Sequence, residues 1–311
     1  MKKVIRIGTR ESQLALWQAL TVQDELQKIG YQTEIVPIAS EGDIVLDVPL
    51  YEMGITGIFT KTLDVALLTD KIDIAVHSLK DVPTRLPKGL VQAAVLKRAD
   101  SADILVYKNR LDFLESKAGN PVCIATGSLR RKAQWLHRFP NHQVVNLRGN
   151  VNTRLKKLEE NNWNGAVFAK AGLERLHLIP EKHLVLDWMI PAPAQGAVMI
   201  MTKASDEFSR EALSQINDAN TEICTRIERM FLQTLEGGCT APIGAYAEIK
   251  DDKVYFTAAV FDVDGKQKID IAQNASLLNA QNLGPETANI ILQKGGKELM
   301  EKIKRSLQKN E

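Results

Sequence analysis

Short apolar runs alternate with stretches of helical period through the first two thirds of the chain. VIRIG (residues 4–8) has the length and β-branched content of a buried strand. It leads through TRES into a stretch that places Leu16, Trp17, Leu20 and Leu26 on one side of a helix. YQTEIVPI (31–38) alternates as a second strand, LDVALLTD (63–70) reads as helix, and IDIAVHS (72–78) as a buried strand. The pattern then repeats. PVCIA (121–125) runs into TGSLRRKAQWL, QVVNL (143–147) into RGNVNTRLKKLEE, and GAVFA (165–169) into KAGLERL. Strand, short polar turn and helix in succession predict a mostly parallel sheet flanked by helices. Ligands of such sheets bind beyond the carboxyl ends of the strands, where helix N-termini also point.

Four further stretches depart from this rhythm. Residues 39–60, ASEGDIVLDVPLYEMGITGIFT, are long, rich in glycine and aspartate and without period, as expected of a loop beside a site. PAPAQGAVMIM (191–201) reads as a proline-rich hinge before one more strand, and a helix from about Thr221 to Leu235 carries Ile223, Ile227, Phe231 and Leu235 on one face. IGAYAEI, KVYFTAAVFD and KQKIDIA then predict three antiparallel strands, the last two joined by the turn DVDG, before a final helix runs to the lysine-rich end. This last region reads as a separate domain.

Length and composition narrow the picture. A chain of 311 residues suggests two or three domains, and 44% hydrophobic with 25% charged residues is ordinary globular composition. No run of about 18 apolar residues predicts a membrane span, and MKKVIRIGTR lacks the apolar core of a secretory signal, so a cytoplasmic protein is expected. Cys123, Cys224 and Cys239 form no CxxC pair, and His137/His142 and His177/His183 have no clustered partners, so neither disulfides nor a metal are expected. Net charge is only +2, yet Ser116 to Leu158 holds no Asp or Glu while carrying Lys117, Arg130, Arg131, Lys132, Arg138, Arg148, Arg154, Lys156 and Lys157. So one-sided a stretch predicts a field that attracts an anion, against the alternative of a solvated basic face. Nucleic acid is the obvious polyanion, but Trp135 and Phe139 are few aromatics for stacking bases and no binding module is present.

Candidate chemistry centres on LEGGCTAPIG (235–244). Two glycines before Cys239 and Thr-Ala-Pro after it put the thiol on a tight, unshielded turn, a poor place for a core cysteine and a good one for a covalent attachment. Cys123 and Cys224 read instead as small buried hydrophobes. Lys80 and Asp81 emerge together at the carboxyl end of a strand, where a carboxylate can offset positive charge or move protons, although an aspartate near Pro83 also serves as a turn cap. His77 reads as a hydrogen-bonded structural histidine. Arg130 and Arg131 follow Thr126, Gly127 and Ser128 at a strand-to-helix turn, and Arg148 and Arg154 repeat the arrangement at the next. With Arg10 and Ser12 after the first strand, these forks favour a ligand bearing several carboxylates.

Taken together, IGTRESQLALWQ, EGD, IDIAVHSLKDVPT, ATGSLRRKAQ, NLRGNVNTRL, AKAGLERL, PAPAQGA and LEGGCTAPIGAYA resemble, in that order, the porphobilinogen deaminase (hydroxymethylbilane synthase) family over nearly the whole chain. The resemblance implies an α/β fold of two doubly wound lobes resembling type II periplasmic binding proteins, plus a small α+β C-terminal domain with a three-stranded antiparallel sheet. The expected limits are 1–98 with 196–217, 99–195, and 218–311. It implies a cytoplasmic, monomeric transferase of tetrapyrrole biosynthesis. Such an enzyme condenses four porphobilinogen molecules head to tail, with loss of ammonia, on a dipyrromethane cofactor. Cys239 matches the thioether attachment and Asp81 the catalytic aspartate. Lys80, Thr126, Ser128, Arg130, Arg131, Arg148 and Arg154 match positions that hold carboxylates of cofactor and substrate. Arg10, Ser12, Arg175 and Gln195 match further cleft positions, and Phe59 an aromatic that lies over the pyrroles. The chain departs from many relatives at Thr56, where they carry lysine, at Ser101-Ala102, where they carry an arginine, and at Ala194, where they carry glycine.

Two other readings fit parts of the pattern. A non-enzymatic two-lobe receptor or regulator domain would also hold an anion, but has no use for Cys239. A cysteine hydrolase would pair Cys239 with His77, but no further sign of a thiol–imidazole pair accompanies them.

Overall fold

A computed structural model describes residues 3–39, 60–115, 122–237 and 241–308. Phe59, Thr56 and Cys239 lie outside the described residues.

The first sheet follows from the first set of apolar runs. β1 (Val4–Thr9), α1 (Gln13–Lys28), β2 (Gln32–Pro37), α2 (Lys61–Leu68), β3 (Ile74–Ser78) and β4 (Leu90–Val95) precede a crossing to the second lobe. That lobe holds β5 (Asp103–Tyr107), β6 (Cys123–Ala125), α3 (Leu129–Arg138), β7 (Gln143–Val145), α4 (Val151–Glu160), β8 (Gly165–Ala169), α5 (Lys170–Glu174) and β9 (His183–Val185). The chain then crosses back into β10 (Val198–Lys203) and α6 (Glu207–Ser214). The sheet orders are β2-β1-β3-β10-β4 and β7-β6-β8-β5-β9. In both, the fourth strand is antiparallel to its neighbours on either side, β10 in one and β5 in the other, and the remaining pairs are parallel. The two lobes therefore share one plan, and each reversed strand directly follows a crossing.

Both faces of each sheet are covered, which is why the strands read as near-continuous apolar runs. Ile74, Val76, Val198 and Ile200 point one way under α1 and α6, while Ala75, Met199 and Met201 point the other way under α2. In the second lobe Ile104, Ala166 and Phe168 pack with Leu158 of α4 and Leu173 of α5, and Leu105, Ile124 and Val167 pack with Trp135 of α3. Each fully buried Val, Leu, Ile, Met or Phe among them contributes about 1.5–3 kcal/mol on burial. α1 corrects its expected stripe: Ala15, Ala19, Val22 and Leu26 are buried and Leu20 is exposed. The two alanines let the helix lie close to the sheet, and Trp17 is left half-buried at its side.

The third region begins with α7 (Ala219–Thr234), whose N-cap Asp218 accepts from Thr221 N. β11 (Ile243–Lys250), β12 (Lys253–Phe261) and β13 (Lys268–Ser276) form the antiparallel sheet in that order. Val254, Phe256, Ala258 and Val260 of β12 face Ile227 and Phe231 of α7. The expected final helix is two, α8 (Leu283–Ile291) and α9 (Lys297–Gln308), because Gly295 breaks the backbone at φ +94°.

The crossings touch one another. Ala99 N donates to Gly196 O at 3.1 Å, and a Cβ on Gly196, whose φ is +87°, would stand 2.7 Å from Ala99 O. Only glycine fits there. Ala194, two residues earlier, is also left-handed at φ +62°, a conformation that costs an L-residue about 1–2 kcal/mol. Its N–H donates to a carboxylate oxygen of Glu228 at 2.6 Å. Glu228 is 0% exposed and also accepts from Ala247 N at 2.8 Å and from both terminal nitrogens of Arg98, at 2.6 and 3.2 Å. One buried carboxylate on α7 thus joins both crossings to β11.

Candidate active site

Apart from Arg175, which follows α5, and Gln195, which lies in the returning crossing, the described candidate residues come from the carboxyl ends of parallel strands in both lobes, as the strand-turn-helix pattern requires. Ser12 caps α1, its hydroxyl accepting from Ala15 N at 3.4 Å, and Ser128 caps α3 by accepting from Arg131 N at 3.4 Å. Thr126 is buried, and its hydroxyl accepts from Ser128 N at 3.2 Å. Between them Gly127 is obligatory, since a Cβ there would lie 2.5 Å from Leu147 O. Asn150 caps α4 through Thr153 N at 2.9 Å, setting Arg148 before the helix and Arg154 in its first turn.

The arginines divide into two kinds. Arg130 and Arg131, 4% and 5% exposed, both close on Asp103 of β5, which is 0% exposed. Arg130 Nη1 donates to Asp103 Oδ2 at 2.7 Å and to Ile190 O at 2.7 Å, and Arg131 Nε donates to Asp103 Oδ1 at 2.9 Å. Gln195 Nε2 donates to the same oxygen at 2.9 Å and to Ser101 O at 2.7 Å, while its Oε1 accepts from Lys80 Nζ at 3.3 Å. Gln195 is therefore a buried connector between Lys80 and the arginine pair. Burial would push the Asp103 carboxyl up, but the charges of Arg130 and Arg131 and their hydrogen bonds hold it well below the usual carboxylate range.

Arg148 and Arg154 are less committed. Arg154 Nε donates to Gly149 O at 2.7 Å, and among the described residues its two terminal nitrogens have no hydrogen-bond partner. Burial, reinforced by the positive charges of Arg131 and Arg148, lowers its pKa to about 10. Arg148 Nη1 is buried with no partner among the described residues. Asp81, half-buried on the turn after β3, accepts no hydrogen bond from any described residue, yet its charge acts on Lys80, Arg131 and Arg154. Burial lowers the Lys80 pKa to about 8 against the opposing pull of Asp81. Arg175 spans the seam differently, donating to Gly196 O at 2.7 Å with its guanidinium 5.4 Å from the centre of the Trp17 ring, and burial lowers its pKa to about 10. Arg10 lies within electrostatic reach of His77.

Lys80, Asp81, Arg130, Arg131, Arg148, Arg154 and Gln195 are thus linked by hydrogen bonds or charge at the seam of the lobes, which Arg175 also bridges; Thr126 and Ser128 stand at the start of α3 beside the arginine pair, and Arg10 and Ser12 follow β1. Phe59 and Cys239 lie outside the described residues. Two expectations change. Cys123 is half-buried where a buried hydrophobe was expected. His77 is enclosed, but its Nε2 has no hydrogen-bond partner among the described residues; burial and Arg10 lower its pKa to about 4, so it stays neutral. Asp103 was invisible to motif reading because it stands outside the acid-free segment and reaches Arg130 only through the pairing of β5 with β8.

Fold and charge define a class: an α/β protein with a cationic seam between two like lobes, suited to a small polyanion. The chain belongs to the porphobilinogen deaminase family. A family model described as porphobilinogen deaminase, dipyromethane cofactor binding domain, matches residues 5–211, and one for the porphobilinogen deaminase C-terminal domain matches residues 222–293. The porphobilinogen deaminase of Chlorobium phaeobacteroides is 41% identical over 316 residues, covering 98% of this chain and 100% of its own. That of Syntrophotalea carbinolica is 40% identical over 300 residues, covering 95% of each. Membership makes the chain a transferase with a dipyrromethane cofactor and sets aside the receptor reading. Among solved structures, the methionine-binding protein MetQ aligns over 68% of this chain and 89% of its own at 15% identity, with a TM-score of 0.44. No helix among the described residues is long and apolar enough to cross a membrane.

Proposed function

We propose that the chain joins four porphobilinogen molecules head to tail, releasing ammonia and hydroxymethylbilane, on a dipyrromethane held as a thioether by Cys239. One observation carries the reading: Asp81, with no hydrogen-bond partner among the described residues, shares the seam with Lys80, Arg131 and Arg154, which lie within reach of its charge. The donor set fits the group. Each pyrrole unit bears an acetate and a propionate, and the partnerless Nη1 of Arg148 and terminal nitrogens of Arg154 are donors suited to carboxylates. Arg130 and Arg131 add the charge left over by a single Asp103, and Thr126 and Ser128 add hydroxyls at the start of α3. When bound, the dipyrromethane supplies the free α-carbon to which the incoming pyrrole is joined.

Asp81 does the chemistry this requires. Breaking the C–N bond of the aminomethyl group releases ammonia and leaves positive charge on the substrate pyrrole, which an adjacent carboxylate offsets. Once the new C–C bond forms, the proton on the joined α-carbon departs, and the same carboxylate accepts it. Lys80 and the arginines orient the side-chain carboxylates and take no proton. Arg10, Ser12, Phe59, Arg175 and Gln195 complete the substrate side, with Gln195 acting through Lys80. The domain limits 1–98 with 196–217, 99–195 and 218–311 are supported by sheet membership. We take the enzyme to work as a cytoplasmic monomer with no nucleic-acid partner.

The test is turnover of porphobilinogen by Asp81→Ala. The variant is expected to keep its covalent adduct and lose at least roughly 100-fold in kcat. A rate near that of the parent removes Asp81 from the mechanism.

A further inference from the structure

The loop that carries Asp81 is gripped from outside its own lobe. Arg229 of α7 sits beside Glu228 and reaches the turn after β3. Its Nη1 donates to Val82 O at 2.8 Å and to Leu79 O at 3.3 Å, and its Nη2 donates to Pro83 O at 2.7 Å. These three carbonyls bracket Asp81, one before it and two after. The turn is otherwise held by Leu79 N to Ala197 O at 3.0 Å and Val82 N to Leu79 O at 3.2 Å. Pro83 has no N–H and cannot extend a strand, so the carbonyls around it need an external donor. A planar guanidinium spreads its N–H donors over separate nitrogens in fixed directions, so Nη1 and Nη2 reach different carbonyls in a set geometry that lysine's single nitrogen does not reproduce.

The Asp81 carboxylate accepts no hydrogen bond from a described residue. Among the described residues it is the backbone beneath that sets the direction of this carboxylate, and Arg229 holds that backbone. We propose that Arg229 is a positioning residue: by holding the carbonyls of Leu79, Val82 and Pro83 it aims Asp81 into the seam from the helix that leads to Cys239. α7 ends at Thr234, five residues before Cys239, so the element preceding the tether also sets the catalytic carboxylate. The inference rests on the reading of Asp81 as the catalytic group.

The test compares Arg229→Gln and Arg229→Lys in holoenzyme whose adduct has been verified by mass. A displacement near 1 Å costs up to roughly 100-fold, so Arg229→Gln is expected to lower kcat about 10- to 100-fold with KM within about threefold. Arg229→Lys, which keeps the charge on a single nitrogen, is expected to recover part of the loss. In an Asp81→Asn background, Arg229→Gln is expected to lower kcat no further, because a group that acts through Asp81 has nothing left to aim. Unchanged kcat in Arg229→Gln overturns the proposal, as do effects that multiply in the double variant, since Arg229 would then act by another route. If Arg229→Gln does not load the adduct, Arg229→Lys carries the comparison, and parental kcat there overturns it. Full activity of Asp81→Asn alone would instead remove the reading of Asp81 and this inference with it.

Discussion

Asp103→Asn is the sharpest perturbation of the seam. The carboxylate is fully buried and shared by Arg130 and Arg131, whose nitrogens lie 2.7 to 2.9 Å from its oxygens, and it also accepts from Gln195. Asparagine keeps the shape, removes the charge and turns an NH2 group toward donors. Two enclosed guanidinium groups then lose their counter-charge, and stripping one partner from a buried pair costs about 3–5 kcal/mol. At about 4–8 °C per kcal/mol for a domain of roughly 100 residues, the unfolding midpoint should fall by at least about 12 °C. The folded-state pKa of Asp103 lies below its unfolded value, so its contribution is complete at neutral pH and is lost as pH falls through the folded pKa. The gap between parent and variant should therefore shrink on acidification. Calorimetry from pH 7 down to about pH 2, with intact mass to score adduct loading, reads both effects, the gap shrinking only below about pH 4. The double variant Asp103→Asn/Arg131→Gln should regain part of the loss, because the cost comes from the charge left behind. A single-variant midpoint within about 1 °C of the parent, with normal loading, refutes the assignment of Asp103 as the organiser of the arginine pair.

Two further outcomes follow from buried charges. Lys80 has a pKa lowered to about 8, so apoprotein binding of carboxylate-bearing pyrroles should weaken as pH rises through that value, and Lys80→Met should flatten the profile in a titration followed by calorimetry. Glu228→Gln leaves Arg98 without its buried counter-charge at the crossings; it should lower stability by about 3–5 kcal/mol in urea and speed proteolytic cleavage near residues 96–102 and 186–197, whereas unchanged resistance counts against its role as the joint.

Much of this was readable in the chain because local and global preferences agree. β3 and β8 are continuous apolar runs bounded by polar turns, and both lie inside sheets buried on two faces. Arg130, Arg131, Arg148 and Arg154 could be placed at strand-to-helix turns because the apolar strand before each turn and the helical period after it are both legible, and Ser128 and Asn150 cap the helices that follow. What could not be read depends on pairing between distant segments. Nothing local tells that β5 and β10 run against their neighbours, that Asp103 answers Arg130 across 27 positions, or that Glu228 joins two crossings. The division of the arginines into a pair held by Asp103 and a less committed pair likewise needs three dimensions. Gly295 was visible as a residue but not as a break, since glycine inside a helical period is often tolerated. Ala194 shows the reverse case: the sequence marked it as a departure from glycine, and its positive φ supplies the physical meaning.

The central claim is that the chain carries its own primer on Cys239. It is tested most directly by the mass of the denatured, reduced protein, followed by peptide mapping. The expected result is a mass above that of the sequence by one dipyrromethane, located on the peptide containing Cys239 and absent from Cys239→Ser. A fully active parent protein with the bare sequence mass, or an adduct on another residue, would contradict it.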